Sequence, residues 1–376
     1  MKTFEIPMLS ISFLGLCLLS GLDAPPAHAD FTFGEPVNLR SVVPSIDPLH
    51  ESPLCFSYDG LEMYIESDRA DGIGSFDLWV LRRASIGEEW GSPENLGDDV
   101  NTAKDESNPS ISADGLTLYF ATNRDYKWPD IWMTTRPMKN APWGKAVSLG
   151  PKVNDPDVGD CGPRISADGL ELYFSSYRRG GYGRSDIYVI RRETTNDPWG
   201  DPENLGPVVN STTEDGVSCL SPDGLLLLFS DNFMFGDPPR PGGYGGDDMW
   251  MTRRASLSDP WQTPVNLGPQ VNSSINERAP IISPDGTMLY FISAINDDFA
   301  TWENWQASII PICDFNGDGV VDIVDVGIMI EHWHTNYSLC DIGPMPWGDG
   351  FVDAQDLKVL AEHLFEEENS LAEPIQ

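Results

Sequence analysis

The 376-residue chain has few basic side chains, few histidines and no long apolar run beyond its N-terminus. Lysine and arginine number 23 against 59 aspartates and glutamates, for a formal charge of −36. A surface of that sign repels nucleic acid and anionic membrane faces, and it suits calcium, cationic partners or neutral glycans. Histidines number five, and only His50 falls between the N-terminal thirty residues and residue 330. Neither a Gly-x-Ser-x-Gly elbow nor a His-Glu-x-x-His helix occurs, so nothing signals serine-triad or zincin chemistry. Helical periodicity is missing before residue 320. No segment reaches the ~20 apolar residues of a membrane helix.

What the N-terminus holds is a leader. Lys2, an apolar stretch at 11–19 and Ala27-His28-Ala29 read as a signal peptide over residues 1–29 with a small-x-small cleavage site. The mature protein is therefore expected to be secreted or otherwise extracytoplasmic, where disulfides persist.

Three markers repeat along the middle of the chain. Trp-Gly-x-Pro-x-Asn-Leu-Gly recurs with substitutions at 90–97, 143–150, 199–206 and 261–268, with a degenerate first copy at 33–39. Ser-x-Asp-Gly ends at Gly60, Gly115, Gly169, Gly224 and Gly286, in steps of 55, 54, 55 and 62 residues. A short strand opens at Asp77, Asp130, Asp186 and Asp248, and decays to Glu303-Asn304-Trp305 in the last unit. Each unit reads as four short strands, with Ser-x-Asp-Gly as a hairpin turn and alternating stretches such as Leu118-Tyr119-Phe120 after it. Units of this length with four strands predict a mainly β protein, a five-bladed propeller over 30–311. The chain enters at a fourth-strand motif and leaves after a third strand, so the N-terminal strand is expected to complete the last blade and close the ring. The markers resemble the PD40, or WD40-like, repeats of TolB-type envelope proteins. That resemblance implies the fold and leaves the function open.

Six residues before each repeat serine stands an acid: Glu51, Glu106, Asp160, Asp215 and Glu277. The position leads into the innermost strand. One reading rings the channel mouth with carboxylates that bind a cation or polyol, or that serve as the acid and base of a glycosidase. The other caps loop amides, or pairs each acid with an arginine of a neighbouring blade, with Arg69, Arg124 and Arg178 as partners. Repetition in every unit favours the second, because an active site needs asymmetry. Off the pattern, Trp128, Tyr126, Phe233 and Phe235, and above all Tyr182 and Tyr244 in glycine-rich loops, are ligand-binding candidates. The insert 231–246 breaks the ring symmetry. The repeat tryptophans Trp90, Trp143, Trp199 and Trp261 read as packing between blades.

Beyond residue 311 the pattern changes. Residues 314–325 place oxygen donors at loop positions 1, 3, 5, 9 and 12 with Gly319 at position 6, the spacing of an EF-hand-type calcium loop. Asp314, Asn316, Asp318, Asp322 and Asp325 supply side chains, and Val320 its carbonyl. A second loop matches in its back half, with Asp349, the Phe351 carbonyl, Asp353 and Asp356, while Asp341 stands 15 residues before Asp356 rather than 11. One calcium is expected, and two if the second loop fills. Cys313 and Cys340 each precede a loop-opening aspartate and are expected to form a disulfide. Cys55 and Cys219 occupy matching repeat positions. Helices are predicted at 323–333 and from 354 to about 367. One loop followed by one helix, twice, resembles the dockerin type I module of secreted bacterial proteins, here over 312–368 before a short tail at 369–376. That resemblance implies a cohesin-like partner, or an intramolecular contact with the propeller. The loop positions 10 and 11, Ile323-Val324 and Ala354-Gln355, depart from the common Ser-Thr pair. The resulting reading is an exported, non-catalytic binding protein that recognises an envelope protein or glycan and attaches through calcium. The alternative is a glycoside hydrolase using propeller carboxylates.

Overall fold

The computed structural model describes residues 31–39, 51–125, 128–232, 240–294, 302–316, 320–335, 340–343 and 351–364. The expected leader and tail lie outside these, as do His50, Tyr126, Phe233, Phe235, Asp318 and Asp349 and the side chain of Glu51.

Five antiparallel sheets follow one another along the chain. Blade 1 is built from Glu51–Phe56, Glu62–Ser67, Asp77–Arg82 and Glu94–Asn95. Blade 2 takes Glu106–Ile111, Thr117–Thr122, Asp130–Thr135 and Val147–Ser148. Blade 3 takes Asp160–Ile165, Glu171–Ser176, Asp186–Arg191 and Glu203–Asn204. Blade 4 takes Glu214–Leu220, Leu226–Asn232, Met249–Arg253 and Val265–Asn266. Blade 5 pairs Glu277–Ile282 with Met288–Ala294 and Trp302–Pro311. The N-terminus closes it, with Val37 and Asn38 opposite Gln306 and Trp305. A further pairing, Phe31–Phe33 against Ile309–Pro311, extends this seam beyond the single closing strand expected. The ten-residue third strand of blade 5 is long enough to carry both.

Strand alternation builds the core between blades rather than within them. In blade 2, Leu118 and Phe120 join Tyr64, Leu78 and Val80 of blade 1, while Tyr119 turns the other way onto Leu172 and Phe174 of blade 3. Each inter-blade layer repeats this, and each fully buried Leu or Phe contributes roughly 2–3 kcal/mol. The repeat tryptophans Trp143, Trp199 and Trp261 are buried in these layers. Arg136, Arg192 and Arg254 stack over them at 4.5, 4.2 and 4.7 Å, and Arg83 stacks over Trp90 at 4.4 Å. The same arginines donate from Nε to the carbonyls of Gly60, Gly115, Gly169 and Gly224 at 2.7–2.8 Å. Those glycines, with Gly286, hold φ between 69° and 73°, a left-handed turn position that glycine occupies without strain. The serine and aspartate of the motif bond each other across the turn, as Ser112 Oγ does to Asp114 at 2.6 Å.

The C-terminal part contributes two short helices, α1 (Ile323–Glu331) and α2 (Ala354–His363). Both begin where the sequence places them. α1 ends at Glu331, two residues before the predicted end, with His332 as its C-cap. Their apolar faces share one cluster with Phe315, Val321, Ile342 and Val352, and with Cys313 and Cys340. Both cysteines are buried there, and burial pushes the Cys340 thiol up to about 12. The expected bond between them is not formed in the structure, although both lie in the one cluster.

Candidate functional site

Four of the five repeat acids, all those whose side chains are described, are spent on the scaffold. Glu106, Asp160, Asp215 and Glu277 are all buried, with at most 2% of their surface exposed. Glu106 accepts from the Thr102 amide (2.7 Å), from the Thr102 and Thr122 hydroxyls (2.8 Å each) and from Arg124 Nη2 (3.1 Å). Asp160 takes the Asp155 amide and Arg178 Nη2, at 2.6 and 2.7 Å. Asp215 takes the Ser211 amide and Arg240 Nη2, at 2.6 and 2.9 Å. Glu277 takes the amide and hydroxyl of Ser273 and the Ser293 hydroxyl, at 2.9, 2.7 and 3.1 Å. Burial raises the carboxyls of Asp160, Asp215 and Glu277, and the hydrogen bonds and arginines pull them back.

The expected pairing is corrected in one respect: the arginine comes from the same blade. The second strand lies directly opposite the acid, Thr122 facing Glu106, and the arginine two residues further on folds back over the pair. In blade 4 the insert hides this partner from the sequence, and Arg240 beyond it takes the position. Arg124 and Arg178 also stack on Trp132 and Tyr188 of the third strand, at 4.6 and 5.0 Å.

A further marker escaped the sequence reading. Six residues after the first position of Asn-Leu-Gly, which is Ser148 in the second unit, stands a further asparagine, Asn101, Asn154, Asn210 or Asn272. Each bonds both backbone groups of one third-strand residue, Leu78, Ile131, Ile187 or Met249, at 2.8–3.1 Å. A Val-Asn pair at fixed spacing was the available signal.

Asymmetry enters at the axis. The first strands of all five blades enclose a cavity of about 90 Å³, lined among others by Cys55, Ser110, Arg164, Cys219 and Ile281. These five are equivalent positions of the five repeats, and only blade 3 supplies a charge. Near them Glu66, an acid where blades 3 and 4 carry Ser175 and Ser230, accepts from the Asn108 amide at 3.3 Å. The two serines make the matching bond to Val217 and Ala279 of the next blade. Burial pushes Glu66 up to about 7, against the Asn108 amide and the charge of Arg164. Burial likewise brings Asp231 to about 7, with the neighbouring Asp248 charge adding to it.

These raised groups fix a pH dependence. A carboxyl near 7 when folded and near 4 when unfolded binds a proton that the unfolded chain releases, so it stabilises the fold at low pH and loses that contribution as pH rises to about 7. Glu62 and Glu171, held low by Arg136 and Arg254, act oppositely and lose their contribution in acid. Denaturant midpoints should therefore fall between about pH 5 and about pH 7, and Glu66→Gln or Asp231→Asn should flatten that slope. An unchanged slope in both variants would count against these assignments.

Tyr182 and Tyr244 sit at matching places of blades 3 and 4, about half exposed, and their amides donate to Asp186 and Asp248 at 2.7 and 2.6 Å. Glycine is required beside them, because a Cβ on Gly183 would stand 1.8 Å from the Thr213 carbonyl. Phe76, Trp128 and Tyr177 are exposed on connections at the same end of the ring. Tyr177 also donates to Glu214 at 3.2 Å.

In the C-terminal part the two predicted loops close alike. Asp325 accepts from the Phe315 and Asn316 amides (2.7 and 3.3 Å) and from the Asp322 amide (2.8 Å). Asp356 accepts from the Ile342 and Gly343 amides (2.6 and 2.7 Å) and from the Asp353 amide (2.6 Å). Asp341 thus occupies the place of Asp314 despite its longer spacing. Asp322 and Asp353 cap the helices. The donors are hard oxygens of the kind calcium takes. Among the described residues no three acids converge, but Asp318 and Asp349 lie outside them.

No family model matches the chain, and no curated protein does. Solved structures give distant likenesses. TolB from Acinetobacter baumannii is 15% identical with a TM-score of 0.43, over 69% of this chain and 54% of that one, so the chain spans about half its length. A TolB structure from Agrobacterium tumefaciens is 17% identical at 0.43, over 71% and 79%. An α-L-arabinofuranosidase from Podospora anserina, in complex with cellotriose, is 13% identical at 0.43, over 74% and 96%. Likeness at this level carries no functional argument, and the five-bladed fold rests on the strand pairing itself.

Proposed function

We propose that the chain is an exported binding protein whose propeller recognises an envelope protein or glycan through its acid end, with residues 312–368 as a calcium-dependent, dockerin-like attachment module. The observation that carries this is the set of exposed aromatics Phe76, Trp128, Tyr177, Tyr182 and Tyr244 at that end, over four repeat acids that are already hydrogen-bonded. Aromatic side chains left in water on a rigid scaffold suit recognition. Attachment would use α1, where Ile323 (74% exposed), Val324 and Ile330 form one apolar face. A cohesin-like partner fits that face, and the same surface could dock on the chain's own propeller. Tyr182→Ala with Tyr244→Ala is expected to weaken capture of the propeller's ligand from the host envelope about tenfold or more, with melting unchanged. Capture equal to wild type would remove the acid end from the proposal.

The hydrolase reading keeps one specific support, Glu66, an acid off the repeat pattern beside the axis and raised to about 7, a value suited to a general acid. Reducing sugar released by the wild type and lost in Glu66→Gln would establish it over the binding reading.

A further inference from the structure

We propose that the axial cavity is a binding site for a small carboxylate, anchored by Arg164. The Arg164 side chain is only 7% exposed, yet it lines the cavity. Three blades fix its guanidinium. Nε donates to the Ser218 carbonyl, and Nη1 donates to the carbonyls of Pro109 (3.2 Å) and Pro163 (2.8 Å). Among the described residues it forms no ion pair, and Nη2 donates to no protein acceptor. Arg124, Arg178 and Arg240, by contrast, each pair with a buried repeat acid. Glu66, the acid nearest in charge to Arg164, makes no ion pair with it and is itself raised to about 7, so a buried cation held rigidly in the lining of a cavity suits an anion.

The rest of the lining agrees. Ser110 accepts from the Ile165 amide at 3.1 Å, which leaves its hydroxyl hydrogen to donate. Burial raises the Tyr58 phenol, which stays protonated as a second donor. The thiols of Cys55, pushed up to about 11, and Cys219, also raised, are neutral and do not compete for the guanidinium. A cavity of about 90 Å³ takes an acetate-sized group together with a few waters, each needing ~10–15 Å³ on this measure. Turn residues Ser57, Ser221 and Ser283 line its Ser-x-Asp-Gly end, opposite the aromatic-bearing end. The site is therefore separate from the recognition surface proposed above, and either can fail without the other.

Titration calorimetry of the mature chain with sodium formate and acetate, against gluconate at equal ionic strength, tests this. Saturable binding of one anion per chain is expected, with a dissociation constant on the order of a millimolar, about tenfold weaker in Arg164→Gln and weaker in Ser110→Ala. A short peptide with a free C-terminal carboxylate, compared with its amide, separates the sources. Tighter binding of the acid form than of acetate assigns the site to a tethered carboxylate, and the reverse order assigns it to a free anion. Absence of saturable binding, or equal binding in Arg164→Gln, overturns the proposal. Should Arg164→Gln not fold, Ser110→Ala and Tyr58→Phe decide: weaker binding in either supports it, and unchanged binding in both overturns it.

Discussion

On the proposed calcium assignment, adding a chelator to the chain is expected to shift one melting transition strongly and leave the other in place. Asp325 and Asp356 each gather three backbone amides from both ends of a loop, so each carboxylate ties the start of its loop to the helix that follows. Segment 312–376 is rich in acids, with Lys358 as its only lysine or arginine. Without a cation those acids repel, and burial already raises the Asp356 carboxyl. A ligand held at 100 to 1,000 times its dissociation constant stabilises by about 3–4 kcal/mol. For a unit of this size that corresponds to roughly 10–30 °C in melting temperature. The propeller core draws on none of these residues, so its transition should stay where it was. Asp325→Ala should reproduce the chelator. A C-terminal transition indifferent to both would end the calcium assignment.

The second large effect lies between blades 1 and 2. Arg136, whose side chain is fully buried, grips Glu62 through Nη1 and Nη2 at 3.0 and 2.6 Å. Glu62 also accepts from Tyr64 at 2.9 Å and Arg82 at 3.1 Å. Removing one partner of a buried pair leaves the other charge without compensation, at a cost of about 3–5 kcal/mol. Glu62→Gln should therefore lower the propeller melting temperature by roughly 6–15 °C. Glu94, which meets Arg82 at 2.5 Å but is mostly exposed, provides the contrast. Glu94→Gln should change stability by less than about 1 kcal/mol. Similar small effects in both would contradict the interlocking role given to Glu62.

Repetition decided what could be read from the sequence. Ser-x-Asp-Gly, the tryptophan motif and the strand-opening aspartate each recur because each solves the same backbone problem in every blade. They gave the blade count, the strand order and the closure by the N-terminus. The phase argument missed the added pairing of Phe31–Phe33, since a strand of three residues has no period to detect. Arg240 was hidden by an insert that displaced it from its repeat position. Glu66 and Arg164 were hidden for the opposite reason: each occurs once, and their nearness appears only when the ring brings blades 1, 2 and 3 around the axis. Asp341 looked misplaced by its spacing, and only the matching amide bonds to Asp325 and Asp356 show that it opens the second loop. The exposed tyrosines were legible because glycine-rich loops are uncommon between short strands.

The account rests most heavily on a propeller that binds and a C-terminal part that attaches through calcium. Capture by the immobilised full chain from the native envelope and secretome tests both together, run with calcium and with chelator, for wild type, for Asp325→Ala and for the Tyr182→Ala, Tyr244→Ala pair. The account predicts one partner lost in chelator and in Asp325→Ala, and a second lost only in the tyrosine variant. Capture unaffected by calcium and by both variants would contradict it.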